Sequence, residues 1–179
     1  MAALLLRRLI IGSFDEFYPT LAPEIQAGMK EQLLLAVHEE QNDVVRKKVC
    51  DVVAELARSF IDEEGVNHWP ESLKFLFDLV SSPNAALREA ALLILSVTPG
   101  IFANQQQHYM DVIRQMLLQC LGDTENPQVR LAAVKATTAF LLAHDKEPGV
   151  QRHFVDCLPG LLSGVAVDLR ETGEVSGGA

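Results

Sequence analysis

The sequence is short of the residues that most site chemistry needs. Three cysteines in 179 residues, Cys50, Cys120 and Cys157, lie far apart, and there is one tryptophan and no CxxC pair. An odd count without close spacing argues against a disulfide framework and fits a reducing compartment. No HxxxH occurs, and His38, His68, His108, His144 and His153 are scattered, so the usual zinc spacing is missing. The cysteines read as small core hydrophobes. Basic residues are outnumbered, 15 against 24 acidic ones, for a net charge of -9. That balance argues against non-specific gripping of nucleic acid. No apolar run approaches the ~18 residues that would insert in a membrane. At 49% hydrophobic and 22% charged the chain is too apolar for intrinsic disorder. The start is no secretory signal either, because Arg7 and Arg8 follow a short apolar run instead of preceding it.

Catalytic patterns are equally absent. The chain has no GxxxxGK(S/T) phosphate loop, no GxSxG elbow and no HExxH. The stretch Gly160–Gly164 places a serine between glycines at the wrong spacing, and Asp62-Glu63-Glu64 lacks the alternating ligands of a calcium loop. No enzymatic role, cofactor or metal is expected.

What the chain does have is internal repetition. Asn42, Asn84 and Asn126 recur at a step of 42 residues, and Arg46, Arg88 and Arg130 follow the same step. So do Val45, Leu87 and Val129; Leu34, Leu76 and Leu118; Leu33, Phe75 and Leu117; and Val37, Leu79 and Leu121. Each period holds two helical patterns. First helices are expected over 23–39, 70–81, 105–121 and 148–168, second helices over 43–61, 85–98 and 127–143. Val45, Val49, Val52, Val53 and Leu56 show the helical spacing of apolar residues. Pro23, Pro70 and Pro127 suit first-turn positions, where a missing N–H costs nothing. The three asparagines suit N-caps, and Gly65, Gly100 and Gly122 fall near helix ends or in connections. Trp69 is placed to staple a helix entry before Pro70. No segment alternates with period two, so no sheet is expected.

Helix pairs repeating every ~40–47 residues are the HEAT/armadillo signature. One hairpin cannot bury both faces, so neighbours stack into a curved rod with first helices on one surface and second helices on the other. The expected fold is an all-α HEAT-repeat superhelix over 1–164: the second helix of one repeat, then about three repeats, the last incomplete. A divergent, mostly disordered tail follows over 165–179. Both ends look cut, with no polar cap face, so low stability and self-association are expected.

Several stretches resemble the importin-beta (karyopherin-beta) family of nuclear transport receptors: Arg46–Arg58 (RKKVCDVVAELAR), Asn67–Asp78 (NHWPESLKFLFD) and Pro99–Asp111 (PGIFANQQQHYMD), with Leu4–Arg8, Phe14–Tyr18 and Leu87–Leu92. The resemblance covers about residues 1–164 and departs after Val165. It implies protein import into the nucleus by a non-enzymatic receptor found in cytoplasm and nucleus. Its partners would be Ran-GTP on second helices lining the concave surface, phenylalanine-glycine nucleoporins in grooves between first helices, and protein cargo. Neither direct nucleic-acid binding nor membrane insertion is implied. An acidic solenoid also suits cargo with basic localisation signals. The period alone fits a structural scaffold or adaptor equally well, since a fold does not fix a function. A truncated, non-functional product would explain both ends.

Two groups of residues stand out. Asn42, Arg46, Asn84, Arg88, Asn126 and Arg130 read as a structural ladder, in which identical positions bond to the neighbouring repeat. Off-register polar residues are the contact candidates: Lys47, Asp51, Glu55 and Arg58 along one face of a single helix, with Glu89 and Lys135 on theirs. A solvated face is the plainer reading of each. Phe14, Phe17 and Tyr18 form an aromatic cluster that reads as core packing, with binding of a nucleoporin phenylalanine as the alternative.

Overall fold

The computed structural model describes residues 1–164 and 166; the expected tail lies outside the described residues, apart from residue 166. The helices are α1 (Ala2–Phe17), α2 (Pro23–Glu39), α3 (Asp43–Ser59), α4 (Pro70–Val80), α5 (Ala85–Val97), α6 (Gln106–Leu121), α7 (Pro127–Ala143) and α8 (Pro148–His153), with 3-10 turns at Tyr18–Thr20, Ala103–Gln105 and Val155–Cys157. Among the described residues the only strand-like pairing is an isolated bridge between Ile61 and Asn67. The all-α expectation holds, and most helix boundaries fall within two residues of those read from the 42-residue step.

Proline sets four of these starts. Pro23, Pro70, Pro127 and Pro148 each open a helix at its first turn, where the absent N–H has no partner to lose. Trp69, just before Pro70, is 1% exposed, and its backbone N–H donates to Asn67 Oδ1 at 2.7 Å. Proline also corrects one expectation. The pattern over 148–168 is not a continuous helix: α8 ends at His153, a 3-10 turn spans Val155–Cys157, and helix resumes over 158–164. Pro159 has no N–H for the carbonyl four residues earlier and its ring crowds that carbonyl, so the chain breaks one turn upstream.

The second helices form a spine, α1 on α3, α3 on α5, α5 on α7, while α2, α4 and α6 each lean on the second helix that follows. Enclosure is most complete in α3, where the six successive residues Val52–Ala57 are all buried. Successive residues on a helix turn by about 100°, so such a run is covered on every side. Alanines at Ala90, Ala91, Ala132, Ala133 and Ala136 continue the buried seam in α5 and α7. At the N-terminal end the enclosure fails: α1 buries only Ile10 and α2 only Val37. The α1 backbone also leaves helical geometry at Ser13.

Aromatic rings close the turn after each second helix. Tyr18, Phe60, Phe102 and His144 occupy one position at the 42-residue step. Phe60 lies 5.0 Å from Tyr18 and 5.8 Å from Trp69, Phe102 lies 6.0 Å from both Phe77 and Tyr109, and His144 lies 4.8 Å from Phe140. Phe14 stacks on Tyr18 at 4.8 Å and meets Phe60 at 5.2 Å, so that cluster packs as core. All three cysteines are buried, and burial pushes their thiols up to about 12 for Cys50 and about 11 for Cys120 and Cys157. A thiol that does not ionise is a poor nucleophile and metal ligand.

The connection from α5 to α6 is tied to α3 and to the connection from α3 to α4. Thr98 Oγ1 donates to the Ala54 carbonyl (2.8 Å), Asn67 Nδ2 to the Ile101 carbonyl (3.2 Å), and the Asn104 N–H to the Gly65 carbonyl (2.8 Å). Gly65 adopts φ +75, a left-handed turn glycine makes at no steric cost. Ala103, at φ +53, adopts the same region with a Cβ. The steric penalty there is roughly 1–2 kcal/mol, less the extra unfolded-state entropy of glycine. Ala103→Gly is therefore expected to stabilise the chain by about 0.5–1 kcal/mol, read as a raised urea midpoint at unchanged slope.

Candidate protein-binding surface

The ladder positions do something more local than expected. Arg46 donates to Asp43 Oδ1 at 2.5 Å and to the Glu40 carbonyl; Arg88 to the carbonyls of Ser82 (2.9 Å) and Pro83 (3.0 Å); Arg130 to the Asp123 carbonyl (2.9 Å). Each arginine clamps the turn that precedes its own helix, where the first helix ends and leaves carbonyls without partners. Among the described residues, only Arg88 of the three also bonds to the next repeat, through Asp123 Oδ2 at 3.0 Å. The reason lies one step away in the sequence. The position equivalent to Asp123 in the preceding repeat is Ser81, which offers Arg46 no carboxylate.

The asparagines divide too. Asn42 Oδ1 accepts from the N–H groups of Val44 (3.0 Å) and Val45 (3.2 Å), and Asn84 Oδ1 from that of Ala86 (3.0 Å), as N-caps should. Asn126 makes no such bond and instead donates its amide to Asp123 at 3.1 Å. Asp123 has taken over as the anchor, accepting also from the N–H groups of Asn126 and Glu125. Burial alone would raise its carboxyl, but hydrogen bonds from Arg88, the Asn126 amide and the two N–H groups outweigh it and hold it below its ordinary value.

Most contact candidates are engaged inside the stack. Lys47 Nζ and Glu89 Oε1 pair across α3 and α5 at 2.8 Å. Glu55 is only 6% exposed and is held by Arg7 (2.8 Å) and Arg58 (3.0 Å). Arg58 also donates to the Val97 carbonyl, tying α3 to α5. Asp51 is half-buried and its carboxyl is raised, by burial first, with Arg7 opposing and Glu55 adding. Lys135 is exposed; neither it nor Asp51 forms an ion pair among the described residues. The 42-residue step explains the pairing: Lys47 and Glu89 share one position, with Leu5 before and Leu131 after. Leu9, Asp51, Leu93 and Lys135 share the next. The second-helix surface thus carries charges at Lys47, Asp51, Glu89 and Lys135, beside exposed leucines at Leu5, Leu9 and Leu131.

Two grooves flank this surface. One of about 970 Å³, between α1 and the turn after α3, is lined by Ile11 and Phe14 and by the carboxylates of Asp15, Glu16, Glu63 and Glu64. Asp62 is occupied within that turn, accepting from the Val66 N–H (2.8 Å) and facing His68 at 2.6 Å; those contacts lower its carboxyl, that from Val66 most. The other groove, of about 450 Å³, lies among first helices, bounded by Tyr18, Ala27, Leu34 and Trp69. Lys30 sits over the Phe60 ring, 3.9 Å from its centre, and burial lowers its ammonium against the opposing charge of Glu71. Among the described residues no group of three or more potential ligands could hold a metal ion, and no helix is long and apolar enough to cross a membrane.

The family model described as IPO5-like, TPR repeats matches residues 41–174. The 42-residue step exceeds the ~34 residues of a tetratricopeptide unit and falls in the HEAT range. A probable importin-5 homolog of Dictyostelium discoideum is 26% identical over 162 residues, covering 89% of this chain and 14% of that protein. Importin-4 of Mus musculus is 26% identical over 139 residues, covering 78% of this chain and 12% of its own. Among solved structures, Kap121p bound to Nup53p matches with a TM-score of 0.69 at 23% identity, and Kap121p bound to Ste12p with 0.70 at 24%. Each match covers 95% of this chain and 15% of Kap121p. The chain therefore spans about one seventh of the proteins it matches.

The local and inter-repeat roles of the arginines can be separated. Arg88→Ala is expected to cost about 1.5–3 kcal/mol, the range for hydrogen bonds to charged groups, and more than Arg46→Ala; urea denaturation of both variants checks the order. Because the Asp123 carboxyl is lower in the folded state, its contribution is complete above its ordinary value of 3.8 and is lost as pH falls through the folded value. Asp123→Asn should thus be destabilised at neutral pH and lose less stability than the parent between about pH 4 and pH 2.

Proposed function

Because the chain belongs to the IPO5-like branch of the importin-beta family, we propose that it acts as a segment of a nuclear transport receptor, a non-enzymatic binding surface moving between cytoplasm and nucleus. The observation that carries this reading is the family match over residues 41–174, which spans the repeats whose second helices form the charged spine. On this reading Ran-GTP meets the open side of the second helices, where Asp51 and Lys135 make no ion pair among the described residues and the pairs Lys47–Glu89 and Arg58–Glu55 form a pre-arranged charged lattice. Such a lattice adds specificity and association rate more than affinity.

Cargo with basic segments suits the acidic groove between α1 and the turn after α3, and the net charge of -9 favours its approach. The smaller groove at Tyr18, Leu34 and Trp69 suits a phenylalanine side chain from a nucleoporin repeat, consistent with an aromatic wall beside an apolar one. That Kap121p is bound to Nup53p in one structure and to Ste12p in another supports partners of these kinds.

Calorimetric titration with Ran loaded with a GTP analogue or with GDP tests the proposal. Binding to the GTP form alone is expected. Lys135→Glu should weaken it by roughly fivefold to thirtyfold, the effect of about 1–2 kcal/mol at a contact residue. Equal binding to both forms, or binding unaltered by Lys135→Glu and Asp51→Lys together, would contradict the assigned surface.

A further inference from the structure

The turns that join first to second helices share one hydrogen-bond plan, and the middle turn lacks a charge that the others carry. The Asn42 N–H donates to Glu40 Oε1 (2.8 Å), that of Asn84 to Ser82 Oγ (3.1 Å) and that of Asn126 to Asp123 Oδ1 (2.9 Å). The carbonyls of the same three residues, Glu40, Ser82 and Asp123, each accept from the arginine of the helix that follows. The turn between α6 and α7 is one residue longer than that between α4 and α5. Ser82 therefore holds the role of Asp123, although the 42-residue step aligns Ser81 with it. Asp123 does one thing more: its carboxylate pairs with Arg88 of the preceding repeat (3.0 Å). The matching arginine in the repeat before Ser82 is Arg46. It is 7% exposed, and its Nε has no partner among the described residues. The carboxylate it does meet, Asp43, lies on its own helix and is exposed.

Ser82 is followed by Pro83, and serine before proline is the pair that proline-directed protein kinases modify. The turn is open: Ser81, Pro83 and Asn84 are exposed and Ser82 partly so, beside a groove of about 500 Å³ shared with the turn at Gly122–Glu125. The other threonine or serine before a proline, Thr98, is shut, being 2% exposed and bonded to the Ala54 carbonyl. We propose that Ser82 is a phosphorylation site, and that its phosphate gives Arg46 the forward contact that Asp123 gives Arg88. ATP is the donor: the Ser82 Oγ–P bond forms as the bond from the γ-phosphorus to ADP breaks, and the hydroxyl proton passes to the kinase. The phosphate brings up to about two negative charges and strong acceptor oxygens. It lies ahead of the α5 N-terminus, where negative charge is favoured. Across the groove Asp123 and Glu125 repel it. Arg88 is already engaged by the Ser82 and Pro83 carbonyls and by Asp123. In both turns that carry a carboxylate, moreover, the arginine of the following helix takes the carbonyl and leaves the carboxylate to others. Arg46 is the partner that remains, and the modification tightens the α4–α5 turn against α3.

Incubating the full 179-residue chain with a proline-directed kinase and ATP, then mapping it by mass spectrometry, tests the site. Phosphate is expected at Ser82 and not at Thr98. The pairing is read on the full chain with phosphoserine installed at position 82 during translation. Its urea midpoint should rise, the folding equilibrium constant growing about tenfold. Ser82→Asp should move it the same way by less. Arg46→Gln should remove the gain, each phosphorylated chain being compared with its own unmodified form. Phosphorus-31 titration needs no variant and should show the phosphate's second ionisation at lower pH than in a phosphoserine peptide. A Ser82 that is modified only once the chain is unfolded, or not at all, would overturn the site. A midpoint unchanged or lowered by the phosphate, a gain that survives Arg46→Gln, or a phosphate that ionises as in the peptide would overturn the pairing.

Discussion

Every second helix in the middle of this chain must bury a broad apolar arc against three neighbouring helices, and much of the structure follows from that. A helix leaning on one neighbour needs an apolar stripe; one packed on its own first helix and on the second helices before and after keeps polar groups only on the strip left to solvent or where a charged partner meets them. The uninterrupted burial from Val52 to Ala57 is the clearest expression of the constraint. It also accounts for the alanines of α5 and α7, which let backbones approach where larger side chains would hold them apart. Charges admitted to this environment need partners, because an isolated buried charge is costly. Glu55, held between Arg7 and Arg58, and Asp123, held between Arg88 and its own turn, are solutions of that kind.

The same constraint explains what the sequence revealed and what it hid. Helices and their order were readable because the enclosing stack repeats every 42 residues and imposes the same apolar positions on each copy. Proline positions then marked the starts. The pattern over 148–168 is continuous in its apolar spacing, and only Pro159 within it marks the break. The arginine column was visible as a column, but its role was not. A repeated residue implies a repeated contact, yet the contact here is with the turn of its own repeat. Whether an arginine also reaches forward depends on one residue 35 positions later, Asp123 in the case of Arg88. The aromatic column at Tyr18, Phe60, Phe102 and His144 obeys the same step and was legible in principle. Its change of residue type, ending in histidine, hides it from a search for identical residues.

The contact candidates show where reading by helix face reaches its limit. Lys47, Asp51, Glu55 and Arg58 share a face of α3, but that face borders α1 and α5 as well as solvent. Three of the four therefore serve the stack, and only the coordinates separate a side chain facing a neighbouring helix from one facing water. Under the proposed receptor role, a partner drawn to the second-helix surface would meet charges already fixed in position by inter-repeat pairs, and binding and repeat packing would be coupled through the same residues.

If enclosure is the source of stability, protection should follow it and not helix length. Native-state hydrogen exchange measures this directly. The amides of α3 and α5 are expected to exchange slowest and together, as one cooperative unit, while those of α1 and α2, helices of similar length with one buried residue each, exchange far faster. Comparable protection in α2 and α3, or hairpins that open independently of one another, would contradict the account.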